Sequence, residues 1–107
     1  MRVDSYFIEK CINELQELTE KDRPYTRLVF SKEFLEARNW LTDRFKELEL
    51  DIKVDKAGNL IGIYRSYNNS NKKVFIGSHL DTVPFGGRFD GIAGVVSSLS
   101  IIKSFRE

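Results

Sequence analysis

Val74-Phe75-Ile76-Gly77-Ser78-His79-Leu80-Asp81-Thr82-Val83-Pro84-Phe85-Gly86-Gly87-Arg88-Phe89-Asp90-Gly91 runs from an apolar tetrapeptide, through the only histidine of the chain, into a glycine-rich turn. Val74 to Gly77 is apolar on both faces, the pattern of an interior strand covered by helices on each side. Functional groups gather where such strands end and the chain turns into a loop, and His79 and Asp81 stand at that place. Residues i and i+2 of an extended chain point to one side, so Asp81 can approach the His79 ring and hold its orientation and tautomer. The other ring nitrogen is then free for a metal. Asp90 lies beyond a turn made flexible by Gly86 and Gly87, at the start of a helix, and can fold back beside His79. A histidine and a carboxylate meeting there suit zinc or a similar divalent ion.

Each of these residues also has a plainer role. A lone histidine is more often a hydrogen-bonded or surface side chain than a ligand, and Asp90 before Gly91 also fits a helix N-cap or a turn. Cys11 and Trp40 read as core or near-core residues, and Arg27 and Arg88 as solvated ones, with anion binding the minority reading. Other catalytic templates find little support: there is no GxSxG elbow, no Walker-type glycine loop and no GxGxxG after a strand. Ser78 adjoins His79 on the opposite strand face, which argues against a serine nucleophile served by this histidine.

The flanking sequence supplies a scaffold. Ile8, Cys11, Ile12, Leu15 and Leu18 recur at helical spacing, with Asp4 or Ser5 as the N-cap, and predict a helix over 5–20 that Lys21-Asp22-Arg23-Pro24 stops. Ser31 caps a second helix with the stripe Phe34, Ala37, Leu41, Phe45 and Leu48, and Glu33 sits favourably in its first turn. The period then changes to two: Leu50, Ile52 and Val54 alternate with charged residues, Lys56 to Asn59 turn, and Leu60 to Tyr64 returns, so 50–64 predicts a hairpin. Polar residues over 66–72 predict an exposed loop. Ile92, Val95, Val96, Leu99, Ile102 and Phe105 predict a third helix. The expected fold is α/β: a sheet of at least three strands flanked by helices, part of a three-layer α/β/α arrangement. Three amphipathic helices ask for more sheet than this chain provides, which hints at an incomplete domain.

Composition narrows the function classes. The 107 residues form one domain at most, and 41% hydrophobic with 31% charged residues is ordinary for a globular protein. Seventeen basic and sixteen acidic residues give a net charge of +1, so no overall field points to nucleic acid or an anionic membrane. No run approaches the length of a membrane span, and the first ten residues do not resemble a signal peptide. With a single cysteine, Cys11, internal disulfides are excluded, in keeping with a reducing, cytoplasmic setting. Asn68-Asn69-Ser70 matches a glycosylation sequon by coincidence in that setting.

Gly77-Ser78-His79-Leu80-Asp81-Thr82-Val83-Pro84, followed by Gly86-Gly87-Arg88-Phe89-Asp90-Gly91, closely resembles the zinc-site segment of the N-carbamoyl-L-amino acid hydrolase and allantoate amidohydrolase family. The resemblance extends upstream through Thr26-Arg27-Leu28, Ala37-Arg38 and Asp55-Lys56-Ala57-Gly58-Asn59-Leu60-Ile61-Gly62. These enzymes are dinuclear metallohydrolases of the aminoacylase and carboxypeptidase type. The short spacing from His79 to Asp90 favours the amidohydrolase branch, because the peptidase branches typically carry a longer insertion there.

The resemblance implies that His79 binds one metal, that Asp81 orients its imidazole from behind, and that Asp90 bridges two metals, most simply two zinc ions, with manganese or cobalt as alternatives. The implied reaction is hydrolysis of a linear C–N bond in a small N-carbamoyl or ureido substrate. Members of the family are several times longer and homodimeric. Their Glu-Glu pair, further ligands and lid and dimerisation domain have no counterpart here. By that resemblance, residues 1–107 are the N-terminal part of a single catalytic domain, inactive and association-prone alone. An aminoacylase or exopeptidase of the same superfamily, or a non-catalytic interaction module reusing the scaffold, are the alternatives.

Overall fold

Helix α1 spans Ser5–Glu17 in the computed structural model, which describes residues 2–65, 67–68 and 70–106. Asp4 caps it, its carboxylate accepting the Phe7 N–H at 3.0 Å and so satisfying a donor that has no partner within the helix. Cys11, Ile12 and Leu15 form its buried face, as the apolar spacing predicts. The helix ends at Glu17 rather than at residue 20. Leu18 turns its N–H onto the Leu15 carbonyl at 3.0 Å, and the Leu15 and Leu18 carbonyls also accept from the Arg27 guanidinium.

Helix α2 spans Lys32–Glu47, and its N-cap is Ser31, whose Oγ accepts the Phe34 N–H at 3.2 Å. Glu33 in the first turn, with Arg44 and Lys46 in the last, complements the helix dipole. The period-two stretch folds as expected: β1, Asp51–Val54, pairs antiparallel with β2, Leu60–Ile63, with Ile52 opposite Gly62. Asp55 closes the turn, its Oδ1 accepting from the Ala57 N–H at 3.0 Å and the Asn59 N–H at 2.9 Å. The Asn59 side-chain amide and these N–H groups hold the Asp55 carboxyl below its usual range. Helix α3 spans Ile92–Arg106.

Helices α1 and α3 pack together, with Leu15 and Val96 fully buried. Helix α2 lies over the hairpin and adds Ala37 and Leu41 to the same core. Polar contacts at the rim fix the angles. Glu14 Oε1 accepts from Trp40 Nε1 at 3.1 Å and lies 3.4 Å from Arg44 Nη1, while the Arg44 guanidinium sits 5.0 Å from the Trp40 ring centre.

The expected sheet of three or more strands is smaller among the described residues, which form a two-stranded one. Val74 to Gly77, expected as an interior strand, carries no strand pairing there, and Val74 and Phe75 are 91% and 86% exposed. A strand exists only against a neighbour, and the hairpin does not pair with this segment. The polar stretch 66–72 is exposed where described; Ser66 and Asn69, and with Asn69 part of the sequon, lie outside the described residues. No helix among the described residues is long and apolar enough to cross a membrane.

Acid sensitivity follows from the cap of α1. The Phe7 N–H, aided by Lys103 at 3.3 Å, holds the Asp4 carboxyl below its ordinary value. A carboxyl depressed by folding contributes stability that is complete above its unfolded pKa of about 4 and is lost as pH falls through the folded value. Asp4→Asn retains a capping oxygen that does not titrate. It is expected to lose less stability than the wild type between about pH 7 and about pH 3. Denaturant unfolding at both pH values checks this, and equal losses in the two proteins would contradict it.

Candidate functional site

The segment following His79 is held by residues 25–27 through an irregular zip of hydrogen bonds. The Thr82 N–H donates to the Arg27 carbonyl at 2.7 Å, and the Arg27 N–H donates to Thr82 Oγ1 at 2.8 Å. Further along, the Phe85 N–H donates to Thr26 Oγ1 at 2.9 Å and the Gly86 N–H to the Tyr25 carbonyl at 3.0 Å. Thr26 and Thr82 are buried polar residues, and such groups are tolerated only when their hydrogen bonds are made. The backbone that carries His79 and Asp81 is thereby fixed at its downstream end.

His79 Nδ1 lies 2.9 Å from the main-chain carbonyl oxygen of Asp81. A carbonyl oxygen only accepts, so Nδ1 carries the hydrogen, and in the neutral ring Nε2 is then the nitrogen with the lone pair. The Asp81 carboxylate is near as well, with Oδ1 3.4 Å from Nδ1. Asp81 thus meets the ring as the i, i+2 spacing predicts, with its carbonyl closer than its carboxylate. Asp90 folds back as expected, placing Oδ2 3.7 Å from His79 Nε2. Gly91, which follows Asp90, has φ +73°; a Cβ there would stand 2.6 Å from His79 Nδ1 and Cε1. The imidazole therefore rests on a backbone surface that only glycine leaves clear.

This corner is open. The side chains of His79, Asp81 and Asp90 are 49%, 43% and 70% exposed, and no group of three or more histidine, cysteine or acidic side chains able to hold a metal occurs among the described residues. A hollow of about 250 Å³ lies elsewhere, lined by Glu49, Asp51, Tyr64, Arg65 and Arg106 among others. Nucleophilic alternatives gain nothing from the geometry. Burial pushes the Cys11 thiol up to about 11, which leaves little reactive thiolate at neutral pH. A Cβ on Gly94 of α3 would stand 2.7 Å from Ser78 Oγ, so that hydroxyl is packed against the helix.

Arg27 corrects a sequence expectation. Instead of being solvated it is 1% exposed, with its guanidinium donating to the carbonyls of Leu15, Leu18 and Leu80. Burial lowers its pKa. Arg88 is partly buried and donates to Asn13 Oδ1 at 2.8 Å. Thr26, Arg27 and Thr82 carry the loop that holds the site, yet composition and periodicity do not mark them. The signal that reaches them is the resemblance, whose matched stretches include Thr26-Arg27-Leu28 and Thr82.

No protein-family model matches the chain. Individual relatives do. Ureidoglycolate hydrolase of Oryza sativa subsp. japonica is 31% identical over 105 residues, covering 97% of this chain and 22% of the relative. N-carbamoyl-L-amino-acid amidohydrolase of Pseudomonas sp. strain NS671 is 38% identical over 97 residues, covering 90% and 23%. Allantoate amidohydrolase of Bacillus subtilis strain 168 is 30% identical over 86 residues, covering 80% and 21%. Among solved structures, a hydantoinase/carbamoylase family amidase from Burkholderia ambifaria superposes with a TM-score of 0.90 at 26% identity, over 97% of this chain and 26% of that one.

In sequence and in fold the chain is therefore homologous to hydrolases that act on carbon–nitrogen bonds. More narrowly, it is homologous to a segment of the N-carbamoyl-L-amino acid and allantoate amidohydrolases, and it spans about a quarter of the length of these relatives.

Proposed function

We propose that this chain provides the first half of a divalent-metal site in a cytoplasmic amidohydrolase that cleaves linear C–N bonds of small N-carbamoyl or ureido substrates. The observation that carries the reading is the placement of His79 Nε2, the ring nitrogen that the Asp81 carbonyl does not engage, 3.7 Å from Asp90 Oδ2. That separation exceeds a hydrogen bond. It is short enough for one ion with bonds of about 2.0–2.2 Å to touch both donors, and nitrogen with carboxylate oxygen is a donor set that zinc accepts.

In this reading His79 and Asp90 are the ligands, and Asp81 is the positioning residue that, by accepting the Nδ1 hydrogen, makes Nε2 the free nitrogen of the neutral ring. When bound, the metal supplies Lewis acidity that polarises the carbonyl of the carbamoyl or ureido group. Two side chains fall short of the four ligands a zinc site needs, so the remaining ligands and the general base come from further polypeptide. The exposed Val74, Phe75, Phe85 and Phe89 belong to the surface that such polypeptide covers, since unpaired apolar surface of this kind favours association.

The purified 107-residue chain is expected to release no ammonia from an N-carbamoyl amino acid or from allantoate, with zinc or manganese present. Turnover by this chain alone would defeat the half-site reading. A longer chain containing the segment that hydrolysed peptides but neither of these substrates would instead defeat the proposed substrate class.

A further inference from the structure

Arg27 grips both sides of Asp81. Its Nη1 donates to the Leu80 carbonyl at 2.9 Å, while its backbone carbonyl accepts the Thr82 N–H at 2.7 Å and its backbone N–H donates to Thr82 Oγ1 at 2.8 Å. The same guanidinium reaches back to the end of α1 through the Leu18 carbonyl at 2.9 Å and the Leu15 carbonyl. Its three partners are all main-chain oxygens. Carbonyls only partly compensate a buried charge, so core filling alone, which an apolar side chain would do more cheaply, does not account for an arginine here.

What the arrangement does secure is the peptide plane between two clamped residues, and the oxygen on that stretch is the one that His79 Nδ1 meets at 2.9 Å. We propose that Arg27 is a positioning residue: by clamping residues 80 and 82 to the end of α1, it aims the Asp81 carbonyl at His79 and so selects the ring tautomer that leaves Nε2 free. The inference deepens the metal-site reading and rests on it for its functional meaning. Its physical content, a histidine tautomer set by a buried arginine, needs no metal to be tested.

Because the chain has one histidine, nitrogen NMR of the metal-free protein above the imidazole titration reports a single ring. The wild type is expected in the Nδ1–H form. Arg27→Lys keeps a charge but offers a point donor in place of a planar fork, and is expected to shift the ring towards a mixture dominated by Nε2–H. Thr82→Val removes the acceptor of the Arg27 N–H and the donor to the Tyr25 carbonyl, loosens the same clamp from its other side, and should shift the ring in the same direction. A wild type already in the Nε2–H form would overturn the proposal, as would Nδ1–H retained in the folded variants. If Arg27→Lys does not fold, Thr82→Val decides on the same criterion. A wild type that keeps the Nδ1–H form yet binds no zinc would count against the metal-site reading alone.

Discussion

Gly91→Ala is expected to weaken zinc binding by about ten-fold or more, equivalent to about 1.4 kcal/mol, and to destabilise the fold at the same time. Two costs combine. Alanine in the left-handed region at φ +73° costs on the order of 1–2 kcal/mol. The new Cβ would also stand 2.6 Å from two atoms of the His79 ring, so either the imidazole or the turn must move, and Nε2 loses its alignment with Asp90. Gly87→Ala separates the two effects. Gly87 has φ +84° with no atom within 4 Å of an added Cβ, so it suffers the backbone cost alone. Thermal melts should show both variants destabilised, whereas calorimetry should show zinc affinity reduced chiefly in Gly91→Ala. Equal zinc affinities in the two variants would sever the turn from the site.

Leu15→Ala is expected to have the largest effect on stability, a loss of about 2–5 kcal/mol. Leu15 is fully buried where α1 meets α3, and truncation there removes apolar contact and leaves a cavity that a close-packed interior fills only in part. Stability of a small domain is itself only about 5–15 kcal/mol, so much of this variant should be unfolded under mild denaturant. Its main-chain carbonyl, which the Arg27 guanidinium uses, is untouched by the substitution. Denaturant unfolding followed by circular dichroism measures the loss; a midpoint unchanged from the wild type would place the core elsewhere than the α1–α3 contact.

Local chemistry made most of the scaffold legible. Ser31, Glu33 and the stripe from Phe34 to Leu48 carry the signals of a helix within a few residues of one another, and Lys32–Glu47 forms where they indicate. The change of period at Leu50 announces the hairpin for the same reason. Val74 to Gly77 was not legible in this way, because apolar composition permits a strand but only a neighbouring strand creates one. Arg27 was hidden by a different mechanism. Its carbonyl partners at Leu15, Leu18 and Leu80 come from two distant parts of the chain, and nothing in the type of residue 27 tells a solvated guanidinium from a buried clamp.

The candidate site was legible to the level of which residues meet. The spacing of His79 and Asp81, and the glycines before Asp90, foretold the cluster that the structure assembles. The atom that orients the ring was not foretold. A side-chain carboxylate is the obvious partner for an imidazole, yet the Asp81 carbonyl lies nearer, on a peptide whose Thr82 N–H is bound to the Arg27 carbonyl. The relatives that share this segment are about four times as long.

The most direct test is a calorimetric zinc titration of the wild-type chain beside His79→Ala and Asp90→Asn. Weak binding of one ion in the wild type, reduced about ten-fold or more in each variant, is the predicted result. A tight two-ion site in the wild type, or binding that neither substitution alters, would contradict the assignment of His79 and Asp90 as half of a metal centre.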